Sequence, residues 1–289
     1  MALPHDPLWP RAQSLFSENS NGDTDIALFG IPASHTSLSP TSAHRTPEAI
    51  REAFLRYSTA HSDDKVDLSK LSLSDVGNLA SPDEDESKTI SQVREISKRS
   101  KFMIALGGDN SITYSAVQGS EATGLITLDA HYDLRDGISN GSPVRRLIED
   151  GLNPKKVVQI GIADFSNSPE YAKRAKDYGI TVIPRSDLRR RNPADIWEQA
   201  IDIAGEKFFV DFDMDVCDRS VVPACPAAAP GGISADEIRQ FAFLAGASSS
   251  AVGADITEID SDMDSADERS VRLAALVVLE MIAGYSTRE

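Results

Sequence analysis

The sequence predicts an α/β fold in which a parallel sheet is covered by helices on both faces. Short apolar runs alternate with amphipathic stretches from one end of the 289 residues to the other, the signature of repeated strand–helix–strand units. Those runs are nearly continuous in apolar residues, as strands buried on both faces require. The residues able to carry chemistry fall directly after the runs, where open parallel sheets place their ligands.

Residues 1–24 read as irregular, with Pro, Ser and Asn scattered through them. Residues 25–32 form a first buried strand stopped by Gly30 and Pro32, and 33–46 form a loop of Ser, Thr, Pro and His. A helix opens at Thr46, with Thr as cap and Pro47 in the first turn. A helix over 90–98 leads to a strand over 102–106, which ends in Gly107-Gly108-Asp109-Asn110-Ser111. Further strands follow over 125–128, 157–161, 180–183, 208–210, 251–256 and 275–279. Helices over 143–150, 169–178, 193–204 and 234–245 separate them. Asp83-Glu84-Asp85-Glu86 reads as an exposed loop and 261–270 as an acidic loop. With no long repeat and no interdomain linker, one domain over 1–289 is expected.

A hydrophobic content of 40% supports one large core. A formal charge of −16 argues against a nucleic-acid partner. The two cysteines, Cys217 and Cys225, provide no disulfide framework and lack zinc-site spacing partners. They read as packing residues in a reducing compartment. Residues 1–11 lack the layout of a signal peptide, and the longest apolar run, 273–279, is too short to span a bilayer. The expectation is a soluble cytoplasmic protein with no membrane contact.

Two clusters dominate the chemistry, Asp129-Ala130-His131-Tyr132-Asp133 and Asp211-Phe212-Asp213-Met214-Asp215. In extended chain, side chains at i, i+2 and i+4 point to one side, so each cluster aims three hard ligands at one point. Crowded carboxylates repel unless a cation sits between them. Neither cluster has the central Gly and distal Glu of an EF-hand loop. Carboxylate with imidazole suits manganese, iron or magnesium better than zinc. A metal pair ionises water near neutral pH and so makes a hydrolase without a Ser or Cys nucleophile. The chain contains no Gly-x-Ser-x-Gly elbow and no phosphate loop.

Taken in order, Gly107-Gly108-Asp109-Asn110, Asp129-Ala130-His131-Tyr132-Asp133, Asp211-Phe212-Asp213-Met214-Asp215-Val216-Cys217-Asp218-Arg219, Pro230-Gly231-Gly232 and Glu258 resemble the motifs of the ureohydrolase (arginase/agmatinase) family. The resemblance implies a three-layer αβα sandwich around a mainly parallel eight-stranded sheet, assembled into trimers or hexamers. It implies that Asp129 and Asp213 bridge two manganese ions. Asn110 and Asp133 would complete one shell, and His131 and Asp215 the other. The chain departs from the pattern at three points. Asn110 stands where the family usually has His, Asn140 where arginases carry a proton-shuttling His, and Asp211 and Arg219 replace the usual Ser and Pro of the second motif.

The segment 134–146 and the variants at 107–111, 218–219 and 270–275 are similar to the formimidoylglutamase branch. That branch implies an amidine substrate, N-formimidoyl-L-glutamate, cleaved to L-glutamate and formamide. Arg135 and Arg145 are candidates for its carboxylates, since arginine pairs with carboxylate through two parallel hydrogen bonds. Ser139, Asn140 and Ser142 are candidates for the amino-acid end. Asp133 is expected to carry a proton to the leaving amine, and Glu258 to orient the cationic imino nitrogen. An agmatinase or guanidino-acid hydrolase releasing urea is the alternative of the same class. A catalytically silent binding protein, suggested by Asn110, is the alternative of another class.

Overall fold

The structure, a computed structural model, describes residues 6–18 and 22–288. In chain order the elements are β1 (Ser17–Glu18), β2 (Thr24–Ile31), α1 (Thr46–Ala53), β3 (Leu73–Asn78), α2 (Glu86–Ser97), β4 (Ser100–Gly107), α3 (Ile112–Ser120), β5 (Gly124–Leu128), α4 (Pro143–Glu149), β6 (Val157–Ile162), α5 (Pro169–Tyr178), β7 (Thr181–Pro184), α6 (Arg185–Leu188), α7 (Pro193–Ala204), β8 (Phe208–Asp213), α8 (Ala235–Ala247), β9 (Ala251–Thr257) and α9 (Arg269–Tyr285). The strands form one sheet in the order β1-β3-β2-β4-β9-β8-β5-β6-β7, and every pairing is parallel. Eight strands have four or more residues, and β1 has two.

Successive strand residues serve opposite faces. Val210 belongs to the core cluster that also holds Ile50 of α1, Trp197 of α7, Phe241 of α8 and Met281 of α9. Its neighbour Phe209 packs with α2, α3, α4 and α5 through Val93, Ala116, Leu147 and Ala175. The result is three layers, with the sheet buried on both sides. Among the described residues, no helix is long and apolar enough to cross a membrane.

The structure corrects the expected elements in several places. The strand expected over 275–279 is the middle of α9, whose Leu273, Ala274, Val277, Val278 and Met281 are all buried. A short run of apolar residues has no period that separates a buried strand from a buried helix; here it continues to Tyr285, and the helix packs against α1 and α8 in the layer over one face of the sheet. Conversely, β3 carries Ser, Asp, Gly and Asn and is buried only at Leu73 and Ser74, so the sequence pattern assigns no element there. Within the segment expected to be irregular, residues 12–15 form a 3-10 turn and Ser17–Glu18 pair with β3, while 1–5 and 19–21 lie outside the described residues. The acidic run 83–86 is partly structural. Asp83 accepts from the Ser34 and His35 backbone N–H groups, Asp85 caps α2, and Glu86 pairs with Arg146.

The sheet order places β4, β9, β8 and β5 side by side at its centre. The chain leaves β4, passes over the positions of β9 and β8 and enters β5, and the last two strands later fill the gap. Such a switch in strand order opens a crevice beyond the carboxyl ends. The α8 helix behind it opens with a capping box in which the Ser234 hydroxyl accepts from Glu237 N–H and the Glu237 carboxylate accepts from Ser234 N–H. Replacing Ser234 by Ala should cost about 1 kcal/mol of stability, read as a lower midpoint in urea unfolding with an unchanged slope.

Candidate metal centre and substrate cavity

All four central strands deliver side chains to the crevice. Asn110 follows β4, Asp129, His131 and Asp133 follow β5, Asp213 ends β8 with Asp215 in the next turn, and Glu258 follows β9. Two triads result, Asp129–His131–Asp215 and Asp129–Asp133–Asp213, in each of which the ligand atoms lie within 4.8 Å of one another. Asp129 belongs to both triads, and Asp213 belongs to the second, with Asp129 and Asp133. Two residues of the centre, Asp133 (φ +53°) and Glu258 (φ +66°), hold left-handed backbone, a conformation that costs a non-glycine residue about 1 kcal/mol or more and that clusters at functional sites.

The electrostatics call for a cation. Asp129, Asp133, Asp213 and Asp215 are all buried, and among the described residues no Lys or Arg pairs with any of them. Burial, then the charge of Asp129, pushes Asp133 well above the usual carboxylate range; burial, then Asp215, does the same to Asp213. One oxygen of Asp129, Oδ2, is buried without a hydrogen-bond partner. His131 Nδ1 lies 2.9 Å from Asp215 Oδ2. Burial opposes its charged form, but Asp215 and Asp129 outweigh that and push the imidazole up to about 12. These are the marks of hard ligands gathered for divalent ions, which remove the repulsion and leave the imidazole neutral as a ligand. The donor set therefore fits a metal pair.

Asn110 adapts to what stands beside it. Its Nδ2 donates to Asp133 Oδ2 at 2.5 Å, and its Oδ1 accepts from the hydroxyls of Thr113 (2.7 Å) and Thr257 (3.1 Å). Both hydroxyls can accept as readily as donate. The carboxamide can therefore turn over and offer oxygen to a cation without losing its support. Below the ligands, Asp211 and Asp255 face each other across β8 and β9, wholly buried, and among the described residues their oxygens have no hydrogen-bond partner. Burial, then the charge of Asp255, raises Asp211 well above the usual carboxylate range.

The centre forms the floor of a cavity of about 380 Å³, whose wall includes Arg135, Asn140, Tyr171, Leu38 and Glu258. The five residues expected to bind substrate separate here. Arg135 is exposed to the cavity. Its side chain has no hydrogen-bond or ion-pair partner among the described residues and lies 5.9 Å from the Tyr171 ring. It runs across Gly141, where a Cβ would meet Arg135 Cδ at 2.7 Å. Arg145, by contrast, is buried and fully engaged, donating to the carbonyls of Arg135 and Gly137 and pairing with Glu149. It clamps the loop and offers nothing to a substrate, which corrects the expectation. The Ser142 hydroxyl is likewise spent within the turn, accepting from Ser139 N–H (2.9 Å) and donating to Ser139 O (2.8 Å). Ser139 is buried and its hydroxyl unpartnered. Asn140 reaches the cavity, but its carboxamide is bound to Leu38 N–H and to Glu258.

Sequence reasoning missed Asn167, in the loop after β6. It accepts from Tyr132 N–H (3.1 Å) and donates to Ala130 O (2.8 Å), stapling the Asp129–Asp133 segment in place. Its position beyond a strand's carboxyl end was the available signal. Arg174 does comparable work, donating to Leu134 O and pairing with Asp136.

An all-parallel sheet with two carboxylate-rich triads at the ends of its central strands defines a metal-dependent hydrolase. The profile described as "Arginase family" matches residues 24–284, and the chain belongs to that family. It is 34% identical over 277 residues to the formimidoylglutamase of Halalkalibacterium halodurans, an alignment covering 90% of this chain and 86% of the relative. The crystal structure of formimidoylglutamase from Bacillus subtilis superposes with a TM-score of 0.90 at 26% identity, over 99% of this chain and 95% of that one. The structure of Trypanosoma cruzi formiminoglutamase with a pair of Mn2+ ions gives 0.90 at 26% identity, over 97% and 100%.

The metal-free protein should show a distinctive pH dependence. Burial, then neighbouring charge, raises Asp109 from 3.8 to about 6 and Glu258 from 4.5 to about 7. A raised pKa means that the folded state binds the proton more tightly than the unfolded chain, so stability is present at low pH and lost as pH rises through the folded value. In chelator, the melting temperature should fall between about pH 4 and pH 7, and a divalent cation should restore it; a chelated protein whose melting is flat across that window contradicts this electrostatic account.

Proposed function

We propose that the chain hydrolyses N-formimidoyl-L-glutamate to L-glutamate and formamide with two manganese ions. One observation carries the choice of substrate: Arg135 stands uncommitted on the wall of the cavity that also holds the metal centre and the Glu258 carboxylate. The substrate has a cationic amidine at one end and carboxylates at the other, and this cavity has a carboxylate and a free guanidinium to receive them. A cationic amine such as agmatine would meet Arg135 with like charge.

Asp129, Asp213, Asp133 and Asn110 would hold one ion, and Asp129, Asp213, His131 and Asp215 the other. When bound, the ions supply Lewis acidity and lower the pKa of water to near neutrality. The chain's own residues do the rest. Glu258 Oε2 accepts an N–H of the amidinium and fixes its plane beside the centre. Arg135 binds a substrate carboxylate and sets how far the chain enters. Asp133, buried at the cavity floor, takes the proton from the attacking water and delivers it to the departing glutamate nitrogen. The carbon–nitrogen bond to glutamate breaks, and formamide keeps the water oxygen.

The same reading holds 1–289 as a single arginase-like domain, assembled as a trimer or hexamer in the cytoplasm. Two free, buried cysteines accord with a reducing compartment, and light scattering checks the assembly.

A manganese-loaded substrate panel tests the activity. Formamide from formimidoylglutamate is the expected outcome, and urea from agmatine would sink the proposal. Replacing Arg135 by Met should raise KM by about 10- to 100-fold, the loss of a charge-assisted pair, with kcat changed far less; an unaltered KM removes Arg135 from the site.

A further inference from the structure

Glu258 meets the cavity with only one of its two carboxylate oxygens. Oε1 accepts from the Asn110 backbone N–H at 2.7 Å and from Asn140 Nδ2 at 2.8 Å. A carboxylate oxygen has two acceptor positions, so Oε1 is full. Oε2 accepts nothing among the described residues, and Glu258 lines the cavity. The orientation of the Asn140 carboxamide follows from its neighbours. Leu38 N–H can only donate, so Oδ1 faces it at 3.0 Å, which leaves Nδ2 to donate to Glu258. A third contact, Asn140 N–H to Thr36 O at 3.2 Å, ties the same residue to the loop at the cavity mouth.

We propose that Asn140 is a specificity-determining positioning residue, which reduces Glu258 from a two-oxygen fork to a single acceptor and so selects formamidines over guanidines. A protonated guanidine presents two terminal nitrogens side by side and is held best by both oxygens of a carboxylate. An N-formimidoyl group has one terminal nitrogen and a C–H where the second would be. One free oxygen satisfies the formimidoyl group completely. The same oxygen leaves a guanidine with an N–H that has lost its water and gained no partner, the kind of mismatch that discriminates most strongly between close analogues. The inference deepens the function proposed above and rests on Glu258 facing the amidine.

The test compares N-formimidoyl-L-glutamate with N-carbamimidoyl-L-glutamate, which differs only by NH2 in place of H. In the manganese-loaded wild type the guanidino analogue should bind, as a competitive inhibitor, at least about tenfold more weakly than the formimidoyl substrate. Asn140→Ala frees one position on Oε1. Asn140→Asp keeps the acceptor for Leu38 N–H while removing the donor to Glu258. Both should move the ratio of kcat/KM values toward the guanidino compound by about tenfold, with unchanged manganese content. A residue that merely braced the loop would lower both substrates alike and leave the ratio still. A wild type that releases no formamide overturns the functional reading and this inference with it. A wild type that does, but binds both compounds equally or keeps its ratio in the two variants, overturns the inference alone.

Discussion

The molecule is organised around a repulsion. Four buried carboxylates converge at the ends of adjacent strands, and two unit charges 4 Å apart still repel by about 4 kcal/mol in surroundings of intermediate polarity. The described residues offset only part of this. His131 neutralises Asp215, backbone N–H groups reach Asp129, Asp213 and Asp215, and Asp133 receives only the Asn110 carboxamide. The remaining charge is an open place for divalent ions. The left-handed backbone at Asp133 and Glu258 is held against its own cost by the parallel sheet and the hydrogen bonds of the loops.

Around that centre, the loops divide holding from binding. Arg145 and Arg174 spend their guanidinium groups on the carbonyls and acids of the segment 134–137, and Asn167 pins the segment before it. Arg135 is thereby left both rigidly rooted and chemically free. Three arginines of equal charge thus have different roles, decided by how many acceptors lie within reach of each. Asn140 belongs to both groups, since it is anchored at the mouth loop and acts on Glu258.

Much of the site could be read in the chain because the chemistry is local. Asp129, His131 and Asp133 lie within five residues after a buried strand, as do Asp213 and Asp215, so their spacing marks each cluster, although Asp133 and Asp215 leave extended backbone in the fold. The layered fold was legible for a similar reason: doubly buried parallel strands are apolar throughout. The errors fell where local pattern carries no distinguishing information. The run 273–279 is equally apolar as strand or helix, and its helical state is set by the partners it packs against. The strand β3 was hidden because one face is solvated and its sequence is polar. Arg145 and Ser142 were misassigned because adjacency in sequence does not reveal which acceptors surround a side chain after folding.

The amino-acid sequence by itself determined the strand ends, the ligand types and their spacing, since these depend only on the two-residue period of extended chain and on the hardness of carboxylate oxygen. Tertiary structure decided everything that needs two distant segments to meet. It brought β8 and β9 between β4 and β5, so that Asp129 meets Asp213. It paired Asp211 with Asp255 beneath the ligands. It also filled one oxygen of Glu258 with donors from 110 and 140, because hydrogen bonding is short-ranged and directional, and only the folded chain fixes which donors come within its reach.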